Sequence, residues 1–272
     1  MPAAMGGHFH KMHGLGNDFV VIDARENAVL MTAARARAIA DRRTGIGCDQ
    51  LIMIEPSQMA DAAMRIWNND GSQAEACGNA LRALAVLMGD ATLETRGGTA
   101  CIARGDGGAT VDLGAPKFDW QAIPLAYAVD TAAMPVAWEG LAKPAAVNVG
   151  NPHVVFFVDD LATVDLERLG PLIETDALFP DRVNVNVAQV TGRHHIRLRT
   201  WERGAGLTRA CGTGACATAV AAIRARRVSG PVEVEMAGGT LTIDWHEGAG
   251  IRMTGPATHV FMGDADWSRF DT

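Results

Sequence analysis

Hydrophobic positions fall in short runs along the chain, and most of these runs end at Gly, Asn or Asp. Runs of β-branched, aromatic and aliphatic residues with such boundaries are typical of β-strands. The strands predicted in the first half are 19–24, 50–56, 64–68, 99–103 and 109–114. Those predicted in the second half are 153–158, 182–190, 194–202, 232–238, 240–246 and 251–255. Helical spacing occurs at about 32–41, 78–88, 161–169 and 212–226, so the pattern predicts an α+β (mixed α/β) protein with many short strands.

The second half of the chain repeats the first at a constant offset of 134 residues. This offset places Cys77 on Cys211 and lays the stretch GNDFVV (16–21) on GNPHVV (150–155). Further pairs at the same offset are Arg65 with Arg199, Trp67 with Trp201, Gly78 with Gly212, Ala83 with Ala217, Ala85 with Ala219 and Val86 with Val220. One match between small residues is weak, but separate stretches that share one offset indicate two related halves.

A stretch without regular periodicity lies between the two halves, at about 116–144, and contains several prolines. Proline removes a backbone donor and interrupts regular structure, so this stretch indicates a connection. We therefore expect two pseudo-symmetric lobes, an N-terminal one over 1–120 and a C-terminal one over 121–259.

The composition is that of a globular protein of 272 residues, 48% hydrophobic and 20% charged. No segment approaches the roughly 18 continuous apolar residues of a membrane span, and the N-terminus has no run of signal-peptide length, so we expect a cytoplasmic protein without membrane partners. A net charge of −7 argues against nucleic acid as a partner. The five cysteines match no zinc-binding spacing, so we expect reduced thiols and no metal site.

Two of the cysteines stand where helices are predicted to begin. Cys211 precedes a run of small residues that favours a closely packed helix, and Cys77 has the same place in the first half. Unpaired N–H groups and the positive end of the helix dipole lower the pKa of a thiol at such a position. Two thiols on opposite faces of one bound molecule indicate proton removal from one side and delivery to the other, which is racemisation or epimerisation. The N–H groups of Gly78–Asn79 and Gly212–Thr213 are candidate donors to a carboxylate beside the reacting carbon.

Six motifs are distributed along the chain between 13 and 217. They are HGLGNDF (13–19), GIGCDQ (45–50), RIWNNDGSQAEACGNALR (65–82), GNPH (150–153), RVN (182–184) and WERGAGLTRACGTGACA (201–217). On these motifs the chain resembles the diaminopimelate epimerase family. The resemblance implies two lobes, each a curved mixed sheet around a central helix, with the active site in the cleft between them and 260–272 returning to the first lobe. It also implies an isomerase that interconverts LL- and meso-2,6-diaminopimelate in lysine and peptidoglycan precursor biosynthesis. The resemblance implies that this enzyme uses no cofactor such as pyridoxal phosphate and forms a homodimer.

The resemblance further implies a role for individual residues. Cys77 and Cys211 are the acid/base thiols, and His153 and Glu202 position or tune them. The residues expected around the reacting amino-acid end are Asn17, Gln50, Gly78, Asn79, Gly212 and Thr213, with Glu202 reaching the ammonium group. Those expected at the distal end are Asn68, Asn151, Asn184 and Arg203. Ala80 departs from the family pattern, which commonly has Gly there, and we expect little effect because Ala favours a helix.

Three other functions remain open from the residues. A proline racemase or hydroxyproline epimerase would use the same two thiols, but a small cyclic substrate has no distal charged end for Arg203, Asn68 and Asn184 to hold. A redox protein would cycle Cys77 and Cys211 through a disulfide, which leaves the carboxylate donors unexplained. An amino-acid-binding protein without turnover would tolerate Cys77→Ala. Packing is the role expected for the remaining cysteines, which are Cys48, Cys101 and Cys216.

Overall fold

The computed structural model describes residues 6–74, 77–105 and 108–271. The chain forms two compact units: the first is Met1–Val111 with Pro256–Thr272, and the second is Asp112–Gly255. The predicted lobe limits at 120/121 and 259/260 stay a prediction, because compactness does not measure which segments fold independently. None of the helices within the described ranges is long and apolar enough to cross a membrane.

Strands outnumber helices in both units. In chain order the strands are β1 (Gly6–Gly14), β2 (Asn17–Asp23), β3 (Gln50–Glu55), β4 (Ala62–Asn68), β5 (Gln73–Ala74), β6 (Ala91–Thr95), β7 (Gly98–Gly105), β8 (Gly108–Asp112), β9 (Ala137–Trp138), β10 (Leu141–Ala142), β11 (Ala145–Asn148), β12 (Pro152–Phe157), β13 (Asn184–Gly192), β14 (His195–Glu202), β15 (Gly206–Thr208), β16 (Val232–Met236), β17 (Gly239–Asp244), β18 (Arg252–Gly255) and β19 (Thr258–Asp266). The α-helices are α1 (Ala33–Ala40), α2 (Gly78–Met88), α3 (Leu166–Glu174) and α4 (Gly212–Arg224). Short 3-10 turns occupy Leu161–Thr163 and Trp267–Phe270.

The first unit is built on a mixed sheet that contains the parallel pair β2 and β3. β1 pairs antiparallel with β2 on one side and with β19 on the other. β4 pairs antiparallel with β3 and β5 and parallel with β6, and β6 pairs antiparallel with β7. This order places the ends of β2, β3 and β4, which carry three of the predicted site residues, in neighbouring strands.

The second unit has the same strand arrangement. β12 and β13 are parallel, β14 pairs antiparallel with β13 and β15 and parallel with β16, and β16 pairs antiparallel with β17. The registers also agree, because Phe19 is the partner of Gln50 in the first unit and His153 is the partner of Asn184 in the second. The repeat predicted at an offset of 134 residues is therefore confirmed in strand order and in the register of the parallel pair.

Each unit has one helix that is almost completely buried. α2 packs against β1, β7 and β19 in the first unit, and α4 packs against β11 to β14, β16 and β17 in the second. Both helices are rich in alanine, whose small side chain lets a sheet approach the helix closely. Ala80 is fully buried in the first turn of α2. Both helices begin immediately after a cysteine, so the same packing places each thiol at the edge of a core.

The hydrophobic pattern predicts the continuously buried strands well and misses several that are short or partly exposed, among them β5, β6 and β11. It misses β1 and β19, which are rich in His, Gly and Asp. The predicted helix over 161–169 is wrong in its limits, because a 3-10 turn comes first and Asp165 then caps α3. The packing role expected for Cys101 is wrong as well, since this residue is exposed on β7, whereas Cys48 and Cys216 are buried.

Candidate active site

Cys77 occupies the N-cap position of α2 with an extended backbone (φ −146°, ψ 110°). Its thiol makes no capping hydrogen bond to the helix, and Sγ donates to Asn17 Oδ1 at 3.8 Å. The same oxygen accepts a hydrogen bond of 3.2 Å from Asn79 Nδ2 in the first turn of α2. The amide oxygen of Asn17 therefore joins the half-buried thiol to the start of the helix.

A cluster of charged residues orients the Asn17 amide. Asp49 Oδ2 accepts hydrogen bonds from Asn17 Nδ2 and from the backbone N–H of Asp18, both at 3.1 Å. Arg42 Nη2 bridges Asp49 and Asp18 at 2.7 and 2.6 Å, and Lys11 Nζ lies 2.5 Å from Asp18. Burial acts to raise the pKa of Asp18, but hydrogen bonds from Arg42 and Lys11 outweigh it and hold that pKa well below its usual range. Because the charged cluster holds the Asn17 nitrogen, the Asn17 oxygen is left to face Cys77.

Gln50 and Asn68 are partners across β3 and β4. Gln50 Nε2 donates to Asn68 Oδ1 at 3.0 Å, and Asn68 Nδ2 donates to Ser72 Oγ at 3.0 Å. Gln50 Oε1 is buried and has no hydrogen-bond partner among the described residues. A buried acceptor without a donor is costly, so this atom suits a donor supplied by a ligand.

A buried arginine fixes the first turn of α2. Arg82 is fully buried, and its Nη2 donates to Asn79 Oδ1 at 2.7 Å while Nη1 donates to Gly78 O at 3.4 Å. Because Asn79 Oδ1 is occupied by Arg82, Asn79 Nδ2 is directed to Asn17. Arg82 also places a positive charge in the second turn of the helix that Cys77 caps.

Cys211 is the N-cap of α4, with nearly the backbone conformation of Cys77 (φ −123°, ψ 110°). Its Sγ accepts a hydrogen bond of 3.3 Å from the backbone N–H of Gly214 and lies 3.5 Å from Thr213 Oγ1. Burial raises the pKa of the Cys211 thiol well above its ordinary value, and the Glu202 carboxylate raises it further. The expectation that the helix start lowers this pKa is wrong for Cys211, because burial outweighs the hydrogen bonds from Thr213 and Gly214.

Glu202 ends β14 and connects the second thiol to the neighbouring strand. Its Oε1 accepts a hydrogen bond of 2.5 Å from Thr208 Oγ1 on β15. Burial raises the pKa of Glu202, while hydrogen bonds from Thr208 and Cys211 oppose the rise. The pair is therefore a protonated Cys211 thiol beside a partly desolvated carboxylate.

His153 lies on β12 and is fully buried. Its Nε2 is 2.9 Å from Asn151 Oδ1, and its Nδ1 is 3.1 Å from Asn186 Nδ2. Burial lowers the pKa of His153 to about 3, and the charge of Arg203 acts in the same direction. The imidazole is therefore neutral, and both its nitrogens engage asparagine side chains. Its expected influence on the thiols stays a prediction.

Two buried side chains brace the turn that follows β14. Asn184 Oδ1 accepts a hydrogen bond of 3.0 Å from the backbone N–H of Arg203, and Asn184 Nδ2 donates to Pro152 O at 2.8 Å. Glu174 accepts from the backbone N–H of Gly204 at 3.0 Å. These bonds hold the backbone of Arg203 from two sides.

The structure brings the predicted residues of each unit into small linked groups. The groups are Asn17 with Cys77 and Asn79; Gln50 with Asn68; Asn151 with His153; Asn184 with Arg203; and Glu202 with Cys211 and Thr213. The residues that the sequence reasoning missed are Asp49, Arg82, Glu174, Asn186, Thr200 and Thr208. Two of them carried a signal: Asn186 follows Asn184 by two residues and Thr200 precedes Glu202 by two, so each pair shares a strand face.

A cavity lies elsewhere in the second unit. It has a volume of about 600 Å³, opens beyond the C-terminal end of α4 and is lined by Arg193, Arg226, Arg227 and Trp245 among others. None of the predicted site residues lines it. Within the described ranges, no group of three or more His, Cys, Asp or Glu side chains could hold a metal ion.

Sequence comparisons identify the family. The family model of diaminopimelate epimerase matches residues 9–118 and 145–260. A diaminopimelate epimerase from Rhizorhabdus wittichii is 66% identical over 264 residues, which are 96% of this chain and 96% of the relative. The diaminopimelate epimerase of Sphingopyxis alaskensis is 61% identical over 267 residues, 98% of this chain and 100% of the relative.

A solved structure shares the fold at much lower identity. The crystal structure of a phenazine biosynthesis protein of the PhzF family from Enterococcus faecalis has a TM-score of 0.69 and 15% identity, over 96% of this chain and 99% of that chain. At this identity the likeness concerns the fold, whereas the family model and the relatives cover the motifs that carry both cysteines. The chain therefore belongs to the diaminopimelate epimerase family.

Proposed function

We propose that the protein interconverts LL- and meso-2,6-diaminopimelate by a two-base mechanism in which Cys77 and Cys211 remove and return the α-proton. As a member of its family it is a pyridoxal-phosphate-independent amino-acid epimerase of lysine and peptidoglycan precursor biosynthesis. One observation carries the assignment of the two thiols: Cys77 and Cys211 cap α2 and α4 at equivalent positions of two units with the same topology. A nucleophile in a single site would not require this duplication.

The two thiols start in different protonation states. Burial and the adjacent Glu202 carboxylate favour the thiol form of Cys211, so Cys211 begins as the acid. The two-base scheme then assigns the role of base to Cys77, which takes the α-proton, while the Cys211 S–H supplies a proton to the opposite face of the carbon. The reverse reaction exchanges these roles, and proton exchange with water restores the starting state.

The barrier to carbanion formation is high, because a thiol titrates near about 8.5 and an α-C–H is a far weaker acid. Each pKa unit of this difference adds about 1.36 kcal/mol. We assign the compensation to backbone N–H groups at the two helix starts, which would donate to the substrate carboxylate as charge develops there. The groups are those of Gly78, Asn79, Gly212 and Thr213.

Polar side chains would bind the two amino-acid ends. At the reacting end, the unpartnered Gln50 Oε1 offers an acceptor to the ammonium group, together with Asn17 and Glu202. The residues proposed for the distal end are Asn68, Asn151, Asn184 and Arg203. Because both polar atoms of the Asn184 amide already bind protein atoms, we assign Asn184 the task of holding Arg203 in place.

We further propose that the enzyme works as a homodimer in the cytoplasm, with lobes formed by 1–120 plus 260–272 and by 121–259. The family resemblance supports the dimer, and the family's role in lysine biosynthesis supports the location. Light scattering coupled to gel filtration tests the dimer, because a mass near 28.7 kDa would contradict it.

The test of the reaction is proton NMR of LL-diaminopimelate in D₂O with reduced protein and no added cofactor. Wild type and Cys101→Ala, a control that removes an exposed thiol, should incorporate deuterium at the α position as the meso isomer forms. Cys77→Ala and Cys211→Ala should each fail to do so. Undiminished turnover in either variant would overturn the two-thiol mechanism, and exchange with proline or hydroxyproline instead would overturn the substrate.

A further inference from the structure

A chain of buried polar side chains runs through the second unit from Thr200 on β14 to Asn151 before β12. Thr200 Oγ1 is 3.0 Å from Asn186 Oδ1, Asn186 Nδ2 is 3.1 Å from His153 Nδ1, and His153 Nε2 is 2.9 Å from Asn151 Oδ1. Thr200, Asn186 and His153 are 3%, 0% and 0% exposed. Buried polar groups are tolerated when they are hydrogen-bonded, and every link of this chain is made.

The hydrogen bonds of this chain of polar side chains all run in one direction, from donor to acceptor. Asn186 is fixed by two contacts besides the histidine: its Oδ1 accepts from the Thr200 hydroxyl, and its Nδ2 donates to Val154 O at 3.1 Å. The second hydrogen of Asn186 Nδ2 therefore points to His153 Nδ1, which must be the acceptor. A neutral imidazole with an accepting Nδ1 carries its proton on Nε2, so His153 donates to Asn151 Oδ1.

The orientation of Asn151 follows from that donation. Its oxygen is held by His153, and its Nδ2 has no hydrogen-bond partner among the described residues. The amide NH₂ of Asn151 is therefore the free end of the chain, and it presents a donor.

The repeat shows that the core does not need these polar groups. The residues at the positions of His153, Asn186 and Thr200 in the first unit are apolar and at most 1% exposed, and they are Phe19, Ile52 and Ile66. Aliphatic and aromatic side chains fill the same part of the fold there. A polar chain in only one of two equivalent places therefore has a cause other than packing.

The equivalent asparagines are held with opposite polarity. Asn17, the counterpart of Asn151, has its nitrogen bound by Asp49 and its oxygen directed to Cys77 and Asn79. Asn151 has its oxygen bound by His153 and its nitrogen available. One unit therefore presents an amide oxygen, and the other presents an amide nitrogen.

We propose that Asn186 and Thr200 are positioning residues that hold His153 with its proton on Nε2, and that His153 thereby turns the Asn151 amide NH₂ toward a carboxylate of the substrate. The identity of that carboxylate, the distal one of diaminopimelate, rests on the proposed function. The equivalent asparagines of the two units then offer different groups to a substrate whose two ends are chemically alike: an amide oxygen from Asn17 and an amide NH₂ from Asn151. This difference selects which end reacts.

The tautomer can be measured directly in the free protein. Long-range ¹H–¹⁵N spectra of histidine-labelled enzyme at pH 8, with His153 assigned by the signal lost in His153→Gln, distinguish a protonated Nε2 from a protonated Nδ1. Wild type should show the proton on Nε2. A proton on Nδ1 would overturn the proposal whether or not the protein turns over diaminopimelate, so this result is separate from the test of the proposed function.

Three variants test the consequence. Asn186→Asp keeps the shape but offers His153 only an acceptor, so the proton should move to Nδ1, and the KM for diaminopimelate should rise about tenfold to one-hundredfold with a much smaller change in kcat. Thr200→Val should raise KM in the same direction, whereas Thr200→Ser, which keeps the hydroxyl, should behave as wild type. If Asn186→Asp fails to fold, the comparison of Thr200→Val with Thr200→Ser still tests the proposal.

Three outcomes would contradict the proposal. They are an unchanged KM in Asn186→Asp after the proton has moved, a loss confined to kcat, and equal behaviour of the valine and serine variants at position 200. The last outcome would reduce Thr200 to a packing residue.

Discussion

Gly214→Ala tests how closely the start of α4 packs against the polar chain behind it. Gly214 lies in the first turn of the helix, one residue after Thr213, and its N–H donates to Cys211 Sγ at 3.3 Å. A Cβ atom at this position would lie 2.7 Å from Asn186 Oδ1 and 2.9 Å from Thr200 Oγ1. The substitution therefore pushes the helix start and the polar chain apart.

The expected effect is the difference of two opposing contributions. Alanine is the better helix former by about 1 kcal/mol. Ordinary contact begins near 3.4 Å, so the 2.7 Å approach requires a displacement of about 0.7 Å from buried side chains that are themselves hydrogen-bonded. Such overpacking costs about 1–3 kcal/mol, and a strained hydrogen bond adds about 1 kcal/mol. We expect a net loss of about 1–3 kcal/mol, and a fall in Tm on the order of 5 °C.

Scanning calorimetry measures this loss, with Gly105→Ala at the end of β7 as a control for an added Cβ in open space. Among the described residues, an added Cβ at Gly105 meets no atom nearer than Gly108 O at 4.0 Å, so the Tm of Gly105→Ala should not fall. The KM for diaminopimelate of Gly214→Ala should rise as well, because the displaced Asn186 no longer fixes His153. A Tm of Gly214→Ala equal to or above that of wild type would refute the reasoning, since the helix propensity of alanine would then outweigh the close contact.

Two further substitutions act on the partners of the site residues. In Glu202→Gln the pKa of the Cys211 thiol should fall because a neighbouring negative charge is lost, but it should stay above its ordinary value because burial remains the largest cause. The pH dependence of alkylation of the Cys211 peptide measures this pKa, with the exposed Cys101 as reference. An unchanged or higher midpoint would count against the assignment. Asp49→Leu removes the acceptor that holds Asn17 Nδ2, so the KM for diaminopimelate should rise about tenfold; a KM equal to that of wild type would show that Asn17 needs no such support.

The fold could be predicted where strands are buried on both faces, and not where they are exposed. β3 and β12 are almost entirely buried, so their sequences are continuous hydrophobic runs. β19 is exposed along nearly its whole length and is held by pairing with β1. A strand without a buried face leaves no hydrophobic alternation in the sequence, and its partner, about 250 residues away, gives no local signal.

The sequence could predict which residues form the site, but it could not predict how burial and neighbouring charges change their pKa values. The offset of the repeat identifies Cys77 and Cys211 as equivalent, and the small residues after each cysteine identify a helix start. The pKa of Cys211 could not be predicted this way, because its burial comes from strands distant in the sequence and from the carboxylate of Glu202. Local features give the effect of the helix end, but desolvation depends on tertiary packing.

The two units orient their equivalent asparagines, Asn17 and Asn151, through different interactions, and the solvent exposure of the neighbouring residues explains the difference. In the first unit a carboxylate binds Asn17, and its charge is balanced by Arg42, whose side chain is 57% exposed and well hydrated. The residue equivalent to Asp49 in the second unit is Val183, which is 0% exposed, and a carboxylate there would be buried without solvent to stabilise it. A neutral histidine avoids that penalty and also reverses the sign of the contact, since it donates where Asp49 accepts. The duplicated backbone thus provides two like positions, and the side chains behind them make those positions electrostatically different, as a substrate with two similar ends requires if only one of them is to react.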